Sequence, residues 1–77
     1  MSQKLLPVKP AQVVKVLSKV GFQLIRQSGS HAIYRHPDGR WTTVAIHPRK
    51  TIPNGTLRKI IRDAGLTVAE FNNLLKN

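Results

Sequence analysis

The spacing of apolar residues along this chain marks out its elements. Val13, Val14, Leu17 and Val20 recur at helical spacing behind Pro10, whose fixed φ and missing N–H suit a first helical turn. Gly21 then offers a left-handed stop, so the spacing predicts a helix over about 10–20. From Phe22 to Gln27 the pattern shortens to alternation among aromatic and β-branched residues, which predicts a strand. Ser28-Gly29-Ser30 is a tight connection of small residues, and His31 to His36 reads as a second strand. Pro37-Asp38-Gly39 is a hairpin turn by mechanism: proline presets one dihedral and glycine takes the left-handed position. Arg40 to Ile46 is the third strand.

Two prolines and a cationic pair break any period between His47 and Asn54, which predicts a loop. Leu57, Ile60, Ile61 and Ala64 then form one apolar stripe of a helix that starts near Asn54 and ends before Gly65. Its other face carries Arg58, Lys59 and Arg62, with Lys59 one turn from Asp63. Thr67-Val68-Ala69-Glu70 has capping-box spacing and predicts a short third helix over about 68–75, with Val68, Phe71, Leu74 and Leu75 as its apolar side. The expected fold class is α+β: a three-stranded antiparallel meander with helices packed on one face, plus a short C-terminal helix. The α-β-β-β-α order is the layout of double-stranded-RNA-binding domains (dsRBD-like). Meander edges need protection by charge or by a partner, a role open to Arg26, Arg35 and Arg40.

Length and charge narrow the function. Seventy-seven residues make one small domain, expected here over 1–77, and 23 of them are Leu, Ile, Val or Phe, enough to fold. Without cysteine there is neither a disulfide framework nor a thiolate zinc site. Thirteen Lys and Arg against Asp38, Asp63 and Glu70 give a net charge of +10, so the expected partner is polyanionic. Three scattered acids do not readily build the carboxylate cluster of a two-metal nuclease, so any hydrolysis is expected to proceed with no metal and no cofactor. The apolar runs are short and no signal-peptide core is present, which implies a soluble, cytoplasmic protein with no membrane partner.

His31, His36 and His47 are the side chains that titrate near neutrality, and a metal-free ribonuclease needs such a group to take the 2′-hydroxyl proton. His31 is the leading candidate, because it follows a small-residue connection where phosphate can approach the backbone, at the entrance of a strand. Taken alone, a strand-end histidine is more often a surface side chain. His36, beside the hairpin turn, reads as a solvated turn residue. His47 opens a loop with Arg49 and Lys50 that suits phosphate. Lys15 and Lys19 share a polar helix face and are weak pointers to RNA. Tyr34 and Trp41 can stack on bases, although sheet packing is the commoner role for such residues.

Gly29-Ser30-His31-Ala32-Ile33-Tyr34-Arg35-His36-Pro37-Asp38-Gly39, Thr43-Val44 followed by His47-Pro48, and Gly55-Thr56-Leu57-Arg58-Lys59-Ile60-Ile61-Arg62-Asp63-Ala64-Gly65-Leu66 together resemble the HicA (YcfA-like) toxins of toxin–antitoxin modules. The likeness runs from about Val14 to Leu66, and it lies in the order and spacing of these segments rather than in any one of them. It implies a dsRBD-like fold, ribosome-independent cleavage of mRNA that inhibits translation, and neutralisation by a HicB-type antitoxin protein. The family's catalytic histidine falls on His31. Many members carry a second histidine next, where this chain has Ala32. Residues 1–9 and 67–77 extend past the usual match, and the resemblance assigns them no role.

This likeness implies an endoribonuclease with His31 as general base, while the residues themselves leave the leaving-group acid open among His47, His36, water and His31 itself, with His47 ranked second to His31 as a catalytic residue. Ser30, Arg35, Arg49, Lys50, Arg58, Lys59 and Arg62 are the expected RNA contacts. A non-catalytic RNA- or DNA-binding module is the alternative reading, and a basic ribosome-associated accessory protein is the third.

Overall fold

Pro10 does open a helix. In the computed structural model, which describes residues 5–76, α1 spans Pro10–Lys19 and the backbone N–H of Lys9 donates to Gln12 Oε1 at 2.8 Å. Gly21 follows at φ 98°, a conformation that L side chains rarely adopt, and turns the chain into the sheet. Beyond it come β1 (Gln23–Ser28), β2 (His31–Arg35), β3 (Trp41–Ala45), α2 (Asn54–Asp63) and α3 (Val68–Lys76). The strands pair antiparallel in the order β1-β2-β3. This is the α-β-β-β-α arrangement the pattern predicts, with its additional C-terminal helix.

The two faces of the sheet differ because side chains alternate along a strand. Ala32 and Tyr34 of β2, with Thr42 and Val44 of β3, are buried against the helices. The helices supply Val13, Val16 and Leu17 from α1, Leu57, Ile60 and Ile61 from α2, and Phe71 from α3. All four residues of the predicted stripe on α2, Ala64 included, are buried, and Gly65 follows at φ 74° as the stop. On α1 the predicted stripe is displaced: Val16 is buried, whereas Val14 and Val20 are half-buried.

The segments that flank the family-like stretch contribute to this core. Val8 is 2% exposed, and its carbonyl accepts from the Ile52 N–H at 2.9 Å, which ties the N-terminal segment to the loop before α2. Thr67 and Glu70 cap α3 reciprocally: the Thr67 N–H donates to Glu70 Oε1 at 2.8 Å, and the Glu70 N–H donates to Thr67 Oγ1 at 3.1 Å. So capped, α3 puts Phe71 into the core. Lys19 Nζ donates to the Leu74 carbonyl at 2.9 Å, so this lysine joins α1 to α3 rather than standing free for a ligand.

Four expectations are corrected around the sheet. β1 has no buried side, because all six of its residues are exposed: it is an edge strand beyond the reach of the helices, and a bulge between Leu24 and Arg26 interrupts its register. Phe22, expected within that strand, precedes it and is buried edge-to-face on His36, with ring centroids 5.3 Å apart. His36 is therefore a packed residue rather than a solvated one, and its Nδ1 accepts the Asp38 N–H at 3.1 Å. Arg40 does not guard an edge. Its Nε donates to Asp38 Oδ2 at 2.8 Å, its Nη1 donates to the Ala64 carbonyl, and its guanidinium lies 5.5 Å from the Phe22 ring centre. One side chain thus fastens the β2–β3 turn to the end of α2.

Candidate functional site

The glycine at the β1–β2 turn decides where His31 stands. Gly29 adopts φ 58°, the two strands reverse, and Ser28 pairs directly with His31 in the ladder. Ala32 and Tyr34 are buried towards the helices, so His31, Ile33 and Arg35 face the other way, onto the uncovered face of the sheet. His31 is exposed there, at the very start of β2.

Across β2 the ladder brings in the loop. Ala45 is the β3 partner of His31, and the Ile46 N–H donates to the Ser30 carbonyl at 2.6 Å. His47 comes next, and the Lys50 N–H donates to the His47 carbonyl at 3.1 Å, which folds the His47–Lys50 segment into a turn. Ser30, His31, His47, Arg49 and Lys50 therefore gather at one end of the sheet. The N-terminus of α2 shares this end: Pro53 precedes it without a side-chain cap, leaving first-turn N–H groups open beside a cationic loop.

Between these parts lies a cavity of about 300 Å³. Pro10, Ile52, Pro53 and Ile60 form apolar walls, and Ala45 links the cavity to the His31 rung of the sheet. His47, Lys50, Thr51 and Thr56 supply the polar groups in the lining.

The remaining expected contacts lie elsewhere. Arg35 sits four residues along β2, about 13 Å from His31 at the usual strand rise, opposite Trp41 at the hairpin end. Lys59 Nζ donates to Asp63 Oδ2 at 2.9 Å, as the one-turn spacing predicts, so its charge is partly spent within α2. The same carboxylate oxygen accepts from Thr42 Oγ1 at 3.1 Å and satisfies a hydroxyl that is otherwise buried. Arg58 and Arg62 are exposed on α2, the element that packs on the covered side of the sheet.

Trp41 departs from the sheet-packing expectation. It is 59% exposed, on the same uncovered face as Arg35. Leu24 and Ile25, both exposed on β1, are surface apolar residues that periodicity did not single out. The signal for Trp41 was present in its strand, since a buried Thr42 and Val44 force Trp41 and Thr43 to the opposite side.

Asp38 is the group whose acidity is visibly altered. The Arg40 backbone N–H donates to Asp38 Oδ1 at 3.0 Å and, assisted by the Arg40 guanidinium, holds this carboxyl below its ordinary value. It belongs to the hairpin turn, at the opposite end of β2 from His31. Among the described residues no three His, Cys, Asp or Glu side chains are grouped to hold a metal ion, and no helix is long and apolar enough to cross a membrane.

An α-β-β-β-α sheet that gathers cationic and imidazole side chains at one end defines a small α+β domain of the dsRBD-like class. The family model described as HicA toxin of bacterial toxin-antitoxin matches residues 10–66, and the chain belongs to that family. Membership makes it a nuclease-type toxin of a toxin–antitoxin module. No curated protein gives a significant match to the chain.

Proposed function

We propose that this toxin is a metal-independent, ribosome-independent endoribonuclease that cuts mRNA with His31 as general base and so inhibits translation. The observation that carries this reading is the position of His31: exposed on an uncovered sheet face, on the ladder rung that leads through Ala45 to His47, Arg49 and Lys50. An imidazole in that place meets the phosphate backbone of an RNA held by the loop cations, with Ser30 beside the contact.

In the reaction, neutral His31 accepts the 2′-hydroxyl proton and the freed oxygen attacks the adjacent phosphorus. The bond to the 5′-oxygen breaks, and that oxygen takes a proton from an acid, for which His47 is the nearest histidine along the chain path from Ala45. The products are a 2′,3′-cyclic phosphate and a 5′-hydroxyl, so no water or metal-bound hydroxide enters the balance. DNA lacks the nucleophile and survives. Lys50 and Arg49 stabilise the charge that develops on the phosphorane oxygens.

Control falls to a HicB-type antitoxin protein. An acidic surface laid over His31 and the loop cations closes the site, and charge complementarity with a chain of net charge +10 speeds the encounter.

The test is cleavage of a labelled mRNA beside a DNA of matched sequence, in EDTA, followed by mapping of the ends. The expected result is RNA cut alone, to cyclic-phosphate and 5′-hydroxyl termini. Intact RNA that still binds with a steep salt dependence would instead support the non-catalytic binding module.

A further inference from the structure

A dsRBD-like layout suits duplex RNA, yet the cavity between the His47–Pro53 loop, α1 and α2 has the form of a site for something else. A volume of about 300 Å³ lies at the low end of the range for small-ligand pockets. It suits a single ring system. Ile52 and Ile60 are almost wholly buried and, with two prolines, present apolar walls. The Thr51 and Thr56 hydroxyls supply donors and acceptors suited to the nitrogen and oxygen atoms on a base edge. His47 and Lys50 put positive charge in the same lining, where a flanking phosphate would sit.

We infer that this cavity is a subsite for one unpaired nucleobase, and that its occupation selects single-stranded RNA. The inference rests on the reading of RNA as the ligand of the His31 end. A base stacked in an A-form helix cannot enter such a cavity without leaving the stack, and extrusion costs a few kcal/mol. A single strand incurs little of that cost. Ala45, the cross-strand partner of His31, lines the cavity, but His31 itself stands on the uncovered face and is not in the lining. Trp41 is the rival base platform, but it stands four residues along β3 from Ala45, at the far end of the strand.

Thr56 is exposed on α2, so Thr56→Trp can fill the cavity mouth without disturbing the core. Binding is measured with an uncleavable 2′-O-methyl oligonucleotide, its duplex, and an abasic backbone of equal length. Each is tested against the wild type, Thr56→Trp and Trp41→Ala. The wild type should favour the intact single strand over both other ligands by about tenfold, within the range found when a base loses its stacking partner. Thr56→Trp should abolish that preference, and Trp41→Ala should keep it. Addition of a nucleoside monophosphate should also shift the Ile52 and Ile60 methyl resonances of the wild type.

Equal binding of intact and abasic strands, loss of the preference in Trp41→Ala instead, or unmoved Ile52 and Ile60 methyl resonances would each overturn the subsite. Cleavage is scored separately on the unmodified RNA. If the base preference holds while that RNA stays whole, catalysis by His31 fails and the subsite stands.

Discussion

His31 and Ala45 face each other across the β2–β3 ladder, and Ala45 also lines the cavity that His47 and Lys50 share. This pairing joins a residue that sequence spacing singles out to a loop that only folding brings beside it. Ser30, His31, His47, Arg49 and Lys50 lie at this end of the sheet, while Arg35 lies at the other and Arg62 on α2.

The separation predicts unequal effects of removing single cations. Lys50→Gln should weaken RNA binding and lower the slope of log affinity against log salt by about one, the signature of one lost phosphate contact. Arg62→Gln should leave that slope close to the wild-type value. Equilibrium binding at several salt concentrations separates the two. Equal effects would mean that RNA covers α2 as well as the loop.

Thr42 and Asp63 make a second, structural prediction. The Thr42 hydroxyl is buried, and its acceptor is the carboxylate that also holds Lys59. Asp63→Ala leaves that hydroxyl without this acceptor and should cost about 1–3 kcal/mol. Thr42→Val removes donor and need together and should cost less, because Asp63 retains Lys59. Urea denaturation of both variants gives the order, which reverses if the hydroxyl finds another acceptor.

Acid should loosen the hairpin turn first. The Asp38 carboxyl is held below its ordinary value by the Arg40 backbone N–H and guanidinium, so the folded state favours the charged form. Its contribution is complete above the carboxyl's unfolded value and is lost as pH falls through the lowered folded one. Melting temperatures of the wild type should therefore fall on the acid side, and Asp38→Asn should flatten that limb by melting lower than the wild type near neutrality and converging with it in acid. Parallel acid limbs in the two proteins would remove Asp38 from the account.

Much of the fold was legible because its signals are local. Pro10, Gly21, the Pro37-Asp38-Gly39 turn, the Leu57–Ala64 stripe and the Thr67–Glu70 box each act within a few residues, and each lies where its chemistry places it. What escaped depends on distant partners. Nothing near β1 in sequence says that the helices leave it uncovered, so nothing in its pattern tells that all six of its residues, Leu24 and Ile25 among them, are exposed. The packing of His36 on Phe22 and the reach of Arg40 to Ala64 likewise join residues that meet only after the sheet and α2 dock. Candidate chemistry was visible as residue types, since three histidines in a chain of net charge +10 are few enough to rank. Which cations stand beside His31 was not visible, because this depends on the register that sets Ala45 opposite it.

The most direct test of the central claim compares the wild type with His31→Ala for cleavage and for RNA affinity in the same EDTA buffer. His31 is exposed and takes no part in the core, so the substitution should leave the melting temperature unchanged. Loss of the general base should slow cleavage by about 10²–10⁴-fold, with affinity for an uncleavable RNA held near the wild-type value. Cleavage that persists in His31→Ala, or an equal loss of binding and cutting, would contradict His31 as the group that takes the 2′-hydroxyl proton.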